Sequence, residues 1–269
     1  MRIATYNVRD LFVAGDEGLG RGIPKPVVAC KAVARVLDLM DAHVVALQEV
    51  GSQAALEMLN ALLRQPYEHV HCVPGNSDRG IHLAYLSRHP LRLSSHRTLP
   101  LGTSPPLSEL ALQRDLLLAR IAIGDAALTL ANVHLKSKAT PASAPPALLD
   151  ADSLRAAELT LVLKVLGPQQ DSTVPAVLLG DFNDLPSSDA LNALRQSRWV
   201  DALQRDRWLM EGSGRLPGTF WPRRRARLDR ILLNGAAAAL LRPGSTQTHA
   251  STLAQRGSDH YPVSAVLSF

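Results

Sequence analysis

The side chains in this chain that could do chemistry sit directly against apolar runs. Asn7 ends RIATYNV, Glu49 lies at the end of HVVALQEV, and His134 closes ALTLANVH. Asp181 and Asn183 follow AVLLG, Asp229 opens DRILL, and Asp259 and His260 precede PVSAVLSF. Taken singly, each has an ordinary structural explanation as a turn or a solvated strand end, and Asp181 or Asp184 can cap a helix starting near Ser187. Taken together they imply more, because strands deliver their end residues to one rim of a sheet. Several carboxylates on one rim repel, which raises their pKa values and costs stability. A hard divalent cation removes that conflict. Mg²⁺ takes oxygen ligands and keeps most of its waters, so one or two carboxylates and an amide oxygen suffice to hold it. The histidines are too few and too scattered for a three-histidine zinc site. The whole set points to metal-assisted hydrolysis of a phosphate ester.

The elements that must position these residues alternate between strand and helix patterns. RIATYNV reads as a first strand, and Pro26 to Met40 as a helix whose polar stripe is Lys31, Arg35 and Asp38. HVVALQEV is a buried strand followed by a helix over Ser52 to Leu63. Shorter strands at HVHCV, IHLAYLSR, LLLARIAI and AALTLANVHL have the density of a meander. The second half repeats the plan: a helix over Asp152 to Leu166 stopped by Gly167-Pro168, the strand AVLLGD, a helix over Ser187 to Arg198, and late strands LDRILLN and VSAVLSF. Helices between strand groups in both halves predict an α/β fold with two mixed sheets face to face and helices outside. Lys136 to Asp150 reads as a long loop rather than a linker, so residues 1–269 are expected to form a single domain.

Bulk composition narrows the class. The 269 residues are 46% hydrophobic and 20% charged, with 29 Lys and Arg against 24 Asp and Glu, a formal charge of +5. That surplus suits a polyanionic partner, nucleic acid above all. Two cysteines, Cys30 and Cys72, make neither a disulfide framework nor a thiolate metal site. Neither a membrane span nor a leader pattern is evident, so we expect a cytoplasmic protein, and a monomer.

At this level TYNVR, LQEV, HLKS, GDFND, LDRIL and SDHYPV, in that order from Thr5 to Val263, resemble the motif set of the endonuclease/exonuclease/phosphatase superfamily. The superfamily includes deoxyribonuclease I, exonuclease III-type abasic-site endonucleases, sphingomyelinases and inositol polyphosphate phosphatases. The resemblance implies a four-layer α/β-sandwich and a Mg²⁺-dependent phosphodiesterase, with Mn²⁺ able to substitute. It implies Glu49 as the principal metal ligand, with Asn7 and Asp259 completing the site directly or through water. Asp181 would activate the attacking water and Asn183 hold the water or the phosphate. His260, paired with Asp229, would face the scissile phosphate as an imidazolium, although either Asp181 or His260 can be the base. His134 would contact the phosphate or protonate the leaving group.

Departures from the family pattern bear on the substrate. Arg9 and His134 stand where deoxyribonuclease I has arginine and histidine, and Arg114 resembles a phosphate-contacting arginine of that branch. The glutamate that partners the deoxyribonuclease histidine has only the displaced Asp78 as a match. GTFWPRRRARLDR resembles the segment that builds an abasic-sugar pocket, but it is shorter and has Ala226 in place of a pocket tryptophan. Phe220 and Trp221 then line the site or pack in the core. Arg223, Arg224 and Arg225, with Arg227 and Arg230 beyond, form either a solvated face or a track for a polyanionic backbone, and Lys136 and Lys138 would add to the same wall. The expectation is a nuclease, with DNA favoured over RNA. Hydrolysis of a phospholipid, inositol phosphate or other small phosphoester is the alternative, and a non-catalytic nucleic-acid-binding module a third reading.

Overall fold

The structure is a computed structural model that describes residues 1–16, 23–138, 150–210, 216–223 and 226–269. Its strands are, in chain order, β1 (Arg2–Leu11), β2 (Val44–Val50), β3 (His69–Val73), β4 (His82–Ser87), β5 (Arg92–Ser95) and β6 (Leu116–Ile123). They continue as β7 (Ala126–His134), β8 (Ala176–Asp181), β9 (Val200–Asp201), β10 (Asp229–Leu233), β11 (Gln247–Thr248) and β12 (Val263–Val266). The first sheet has the order β11-β12-β1-β2-β4-β3 and the second β5-β6-β7-β8-β10-β9. Both are mixed: β1 runs parallel to β2 and β7 parallel to β8, while the other pairings are antiparallel.

The helices are α1 (Val27–Met40), α2 (Gln53–Ala61), α3 (Ala151–Val165), α4 (Gly167–Gln170), α5 (Asn192–Gln196), α6 (Ala202–Leu209), α7 (Gly235–Ala239) and α8 (Thr252–Gly257). Two predicted boundaries shift. Gly167-Pro168 does not simply stop a helix, because Pro168 opens the short α4, where a missing N–H costs nothing. The helix expected over Ser187 to Arg198 shortens to a 3-10 turn, Asp189–Leu191, and α5. Its continuation ends where Ser197 returns to extended backbone.

Three apolar layers separate four structural ones. Ala4, Tyr6, Val8, Val45 and Leu47 of the first sheet pack under α1 and α2. Their strand neighbours Ile3, Val44 and Ala46 point the other way, against Leu130, Val177, Leu179 and Ile231 of the second sheet. On the far side of that sheet, Leu178 and Val133 meet Leu159 and Val162 of α3. Central strands covered on both faces must be apolar throughout, which is why AVLLG and VVAL show no alternation. Each fully buried Leu or Val contributes roughly 1.5–3 kcal/mol of transfer free energy. The result is the expected four-layer α/β-sandwich.

One polar tie crosses the middle layer. Gln48 Nε2 donates to Asn132 Oδ1 at 2.7 Å and to Thr5 Oγ1 at 3.0 Å, and Asn132 Nδ2 donates to the Leu47 and Ala84 carbonyls. All three side chains are fully buried. A satisfied network in an otherwise apolar layer fixes the offset of one sheet against the other. It lies just below the sheet rims that carry Asn7, Glu49 and Asp181.

Candidate active site

The rims of both sheets open into a cavity of about 620 Å³. From the first sheet come Asn7 at the end of regular β1–β2 pairing and Glu49 near the end of β2. The β1–β2 register slips between Asn7 and Leu11. Within this irregular stretch Arg9 and Asp10 have left-handed backbone, with φ of +49° and +45°, and Glu49 lies at +63°. Left-handed backbone is unfavourable for side chains of this size and is held by its surroundings. The Glu49 carboxylate accepts from Asn7 Nδ2 (3.1 Å) and from the Asp10 N–H (3.1 Å).

From the second sheet come His134, Asp181 and Asp229, which lie in register across three adjacent strands. Gly180, just before Asp181, has φ +140°, and a Cβ there would run into the Val133 carbonyl oxygen. Only glycine permits this approach, so the G of GDFND is explained by the packing of β8 on β7. The chain then turns through Asn183, at φ +53°. Asn183 N donates to Asp181 Oδ1, and its side-chain amide donates to the Leu135 carbonyl at 2.9 Å.

Asp181 is the point where the two rims meet. Its Oδ2 accepts from Asn7 Nδ2 at 3.0 Å and faces His134 Nε2 at 3.6 Å and His260 Nε2 at 3.8 Å. Burial raises the Asp181 carboxyl above its usual range, against the opposing pull of the His260 charge. His260 Nδ1 donates to Asp229 Oδ2 at 2.8 Å. Burial would lower its pKa, but the charges of Asp229 and Asp181 prevail and push it up to about 10, so the ring is an imidazolium at neutral pH. Ser258 Oγ accepts from the His260 N–H and donates to the Asn7 carbonyl, which ties the SDH turn to β1. The Phe220 ring lies 5.1 Å from the imidazole, tilted by 57°.

His134 behaves in the opposite way. Burial, reinforced by Arg114 and His260, drives its pKa well below the ordinary value, so it is neutral. Its Nδ1 is buried and has no hydrogen-bond partner among the described residues. Asp78 is exposed and does not supply the missing carboxylate.

Cations from both sheets line the cavity. Arg9 faces Asp259 at 3.7 Å, and Arg79 pairs with Asp10 at 2.6 Å and lies 3.9 Å from Glu49. Across the cleft, Arg114 Nη1 donates to the Leu135 carbonyl, and Lys138 pairs with Asp184 at 2.8 Å. All four cations line the cavity. Asp10 and Arg79 were missed by sequence reasoning. Asp10 directly follows Arg9, but nothing local to GNSDRG marks Arg79 as its partner.

Other expected residues are placed elsewhere. Lys136 does not line the cavity; its N–H donates to Glu158 and its carbonyl accepts from Arg155, both on α3. Trp221 packs against the outer core of the first sheet and donates from Nε1 to the Ser258 carbonyl, while Phe220 lines the cavity. Arg224 and Arg225, and the side chain of Arg223, lie outside the described residues. Asp184 caps no helix. It is a buried hub that accepts from Arg155 Nε and Nη2 (3.0 and 2.7 Å), Lys138 and Ser188 Oγ (2.6 Å).

The donor set suits a hard cation. Glu49, Asp259 and Asp10 bring carboxylates to the cavity, and Asn7 adds an amide. Oxygens of Asp181 and Asp229 and a nitrogen of His260 also lie within 4.8 Å of one another. A charged imidazole whose Nδ1 is held by Asp229 is a poor ligand, however, which favours the Glu49 side of the cleft.

The profile of the Endonuclease/Exonuclease/phosphatase family matches residues 4–260. Among solved structures, the chain is similar to the human Nocturnin catalytic domain with bound sulfate, at 17% identity over 98% of this chain and 93% of that one, with a TM-score of 0.70. It is similar to a mannosyl-6-phosphatase of Bacteroides thetaiotaomicron, at 18% identity over 100% of both chains and a TM-score of 0.65. An AP endonuclease of Archaeoglobus fulgidus gives the same identity, coverage and TM-score. At such identities these likenesses carry the fold alone. No curated protein sequence gives a significant match. Members of the matched family are metal-dependent phosphoric-ester hydrolases, nucleases and phosphatases among them. With nearly its whole length inside that profile, the chain belongs to the Endonuclease/Exonuclease/phosphatase family and is a metal-dependent hydrolase of phosphoric esters.

Proposed function

We propose that the protein is a Mg²⁺-dependent phosphodiesterase of nucleic acid, with DNA favoured over RNA. The observation that carries this reading is the double wall of cations, Arg9 and Arg79 from one sheet and Arg114 and Lys138 from the other, around one carboxylate cluster. Cations on both sides suit a chain of phosphates passing through the cleft. The similarity to the AP endonuclease supports nucleic acid as substrate, and the similarity to the mannosyl-6-phosphatase supports the second reading, a small phosphoester. A cavity of about 620 Å³ is the size of a small-molecule site and favours that alternative.

Glu49, Asn7 and Asp259 would hold the metal. The chemistry supplied there would be neutralisation of charge on a non-bridging phosphate oxygen and on the leaving oxygen. Asp181 accepts the proton of the attacking water. His260 does not serve as that base, because two carboxylates keep it protonated; it sets a fixed positive charge against the phosphate instead. Asp229 holds the ring in orientation. His134, neutral and without a carboxylate on Nδ1, donates a hydrogen bond to a phosphate oxygen rather than a proton to the leaving group. Asn183 fixes the water or phosphate beside Asp181.

A hydrolysis panel with Mg²⁺, Mn²⁺ or EDTA tests the reading. Its substrates are plasmid, single-stranded DNA, RNA, abasic duplex, phosphorylated sugars and inositol phosphates, with Glu49→Ala as the control. Turnover of the polynucleotides is expected. Turnover confined to the small phosphoesters overturns it.

A further inference from the structure

Arg230 follows Asp229 but projects to the opposite face of β10. Asp229 turns toward the catalytic cleft, whereas Arg230 lies with Leu232 on the outer face of the second sheet, beside α5 and β9. There it lines a second cavity of about 290 Å³ together with Arg195, Trp199, Asp201, Gln204 and Arg227. None of these residues lines the catalytic cleft.

Three arginines and one carboxylate line this cavity. Arg227 is neutralised by Asp201, 2.6 Å away. Arg230 is 3% exposed and forms no ion pair among the described residues, and the Asp201, Asp184 and Asp229 carboxylates act on it from farther away. Its Nη2 donates to two carbonyl oxygens, of Asp184 (2.6 Å) and Arg227 (3.5 Å), and its Nε is buried without an acceptor. The guanidinium lies 5.3 Å from the centre of the Phe182 ring, which offsets part of the charge. Burial, with the neighbouring Arg227 charge, lowers its pKa to about 10, which still leaves it a cation at neutral pH. Trp199, 7% exposed, adds a buried Nε1–H with no acceptor. Arg195 stands at the edge with its side chain 39% exposed, held by the Pro186 and Ser188 carbonyls and 3.8 Å from the exposed Asp189 carboxylate. A buried cation whose carboxylates lie beyond ion-pair distance is costly, and a bound anion offsets that cost.

We propose that this cavity is a second oxyanion site that takes a phosphate group, separate from the catalytic one. Arg230 is its principal cation, and Arg195 and Arg227 flank the anion. The phosphate comes either from the backbone of a polynucleotide lying past the Asp184–Pro186 turn or from free inorganic phosphate. The inference does not depend on which phosphoester the catalytic cleft hydrolyses.

The test titrates inorganic phosphate into the whole protein in EDTA and follows heat or tryptophan fluorescence. His260→Ala serves as the background in which the catalytic anion contact is removed. Saturable binding is expected to persist in His260→Ala and to weaken at least tenfold when Arg230→Gln is added. Should Arg230→Gln fail to fold, Arg195→Ala decides, with a loss of at least fivefold expected. Binding that vanishes in His260→Ala alone, or is unchanged by the cavity substitutions in folded protein, overturns the proposal. A single-stranded oligonucleotide in competition then separates the sources. Displacement of bound phosphate assigns the site to a backbone, and retention assigns it to the free ion.

Discussion

The first sheet reaches the cleft where its strands become irregular, the second where its strands run straight to their ends. Arg9, Asp10 and Glu49 sit in left-handed backbone around a slip in the β1–β2 register. His134, Asp181 and Asp229 instead form one unbroken row across β7, β8 and β10. A row locked by ladder hydrogen bonds holds its side chains to a fixed spacing, which a water aligned for in-line attack requires. A bulged stretch turns consecutive side chains toward one point, which suits oxygen ligands gathering around a cation. On the proposed reading the two rims therefore divide the work: one gathers charge, the other sets geometry.

The most severe test of that division compares Glu49→Gln with Asp181→Asn. Both should lower kcat by about 10³-fold or more. Only Glu49→Gln should also abolish Mg²⁺ binding by calorimetry. If Asp181→Asn loses the metal and Glu49→Gln keeps it, the assignment of the rims is reversed.

Asp229→Asn should cost about 10²-fold or more in kcat by releasing the His260 ring. The His260 charge in the wild type persists up to about pH 10, so the alkaline fall in activity should come as pH rises through that value. In Asp229→Asn the alkaline fall should move toward neutrality. The pair's contribution to stability follows the same sign: it is complete below the unfolded histidine value of about 6.5 and lost as pH rises through the folded one. A pH profile unchanged by the substitution would break the link between Asp229 and the His260 charge.

Behind the second rim, Arg155→Met removes the fully buried cation that holds both Asp184 and the Lys136 carbonyl. A loss of about 3 kcal/mol in denaturant unfolding is expected, since one buried partner is left without the other. Partners hold the Asp184 carboxyl below its usual range against the opposing effect of burial. Its contribution is thus present above about pH 4 and is lost as pH falls through the lowered value. An acid limb identical in Asp184→Asn would show that the hub contributes nothing.

Lys138→Ala should have the smallest effect, because its side chain is 52% exposed. Affinity for single-stranded DNA should drop a few-fold, and the slope of log K against log salt should fall by about 1. An unchanged slope removes Lys138 from the wall.

Asymmetry of the same kind explains what was readable in the sequence. Residues at the ends of apolar strands, Asn7, Glu49, His134, Asp181 and Asp229, announce a common rim because strand geometry alone takes them there. The face-to-face sheets follow from the unbroken apolar runs of β2 and β8. Partnerships between distant segments leave no local pattern: Arg79 with Asp10 spans 69 residues, Gln48 with Asn132 spans 84, and Asp184 with Arg155 spans 29. Asp184 looks like a cap because it precedes a helical turn, and only the fold reveals Arg155 beneath it. The glycine of GDFND is equally opaque until Val133 is seen against it.

The pairing of β1 with β12 has a consequence for how the protein comes into being on the ribosome. Asn7 is made long before the strand that flanks β1 on its other side, residues 263–266. Asp259 and His260 precede that strand by a few residues, and Ser258 reaches back to the Asn7 carbonyl across 251 positions. A nascent chain lacking this segment has β1 as an unprotected sheet edge and no imidazolium in its cleft. Synthesis must therefore run past His260 before the cleft holds both of its rims and the imidazolium between them.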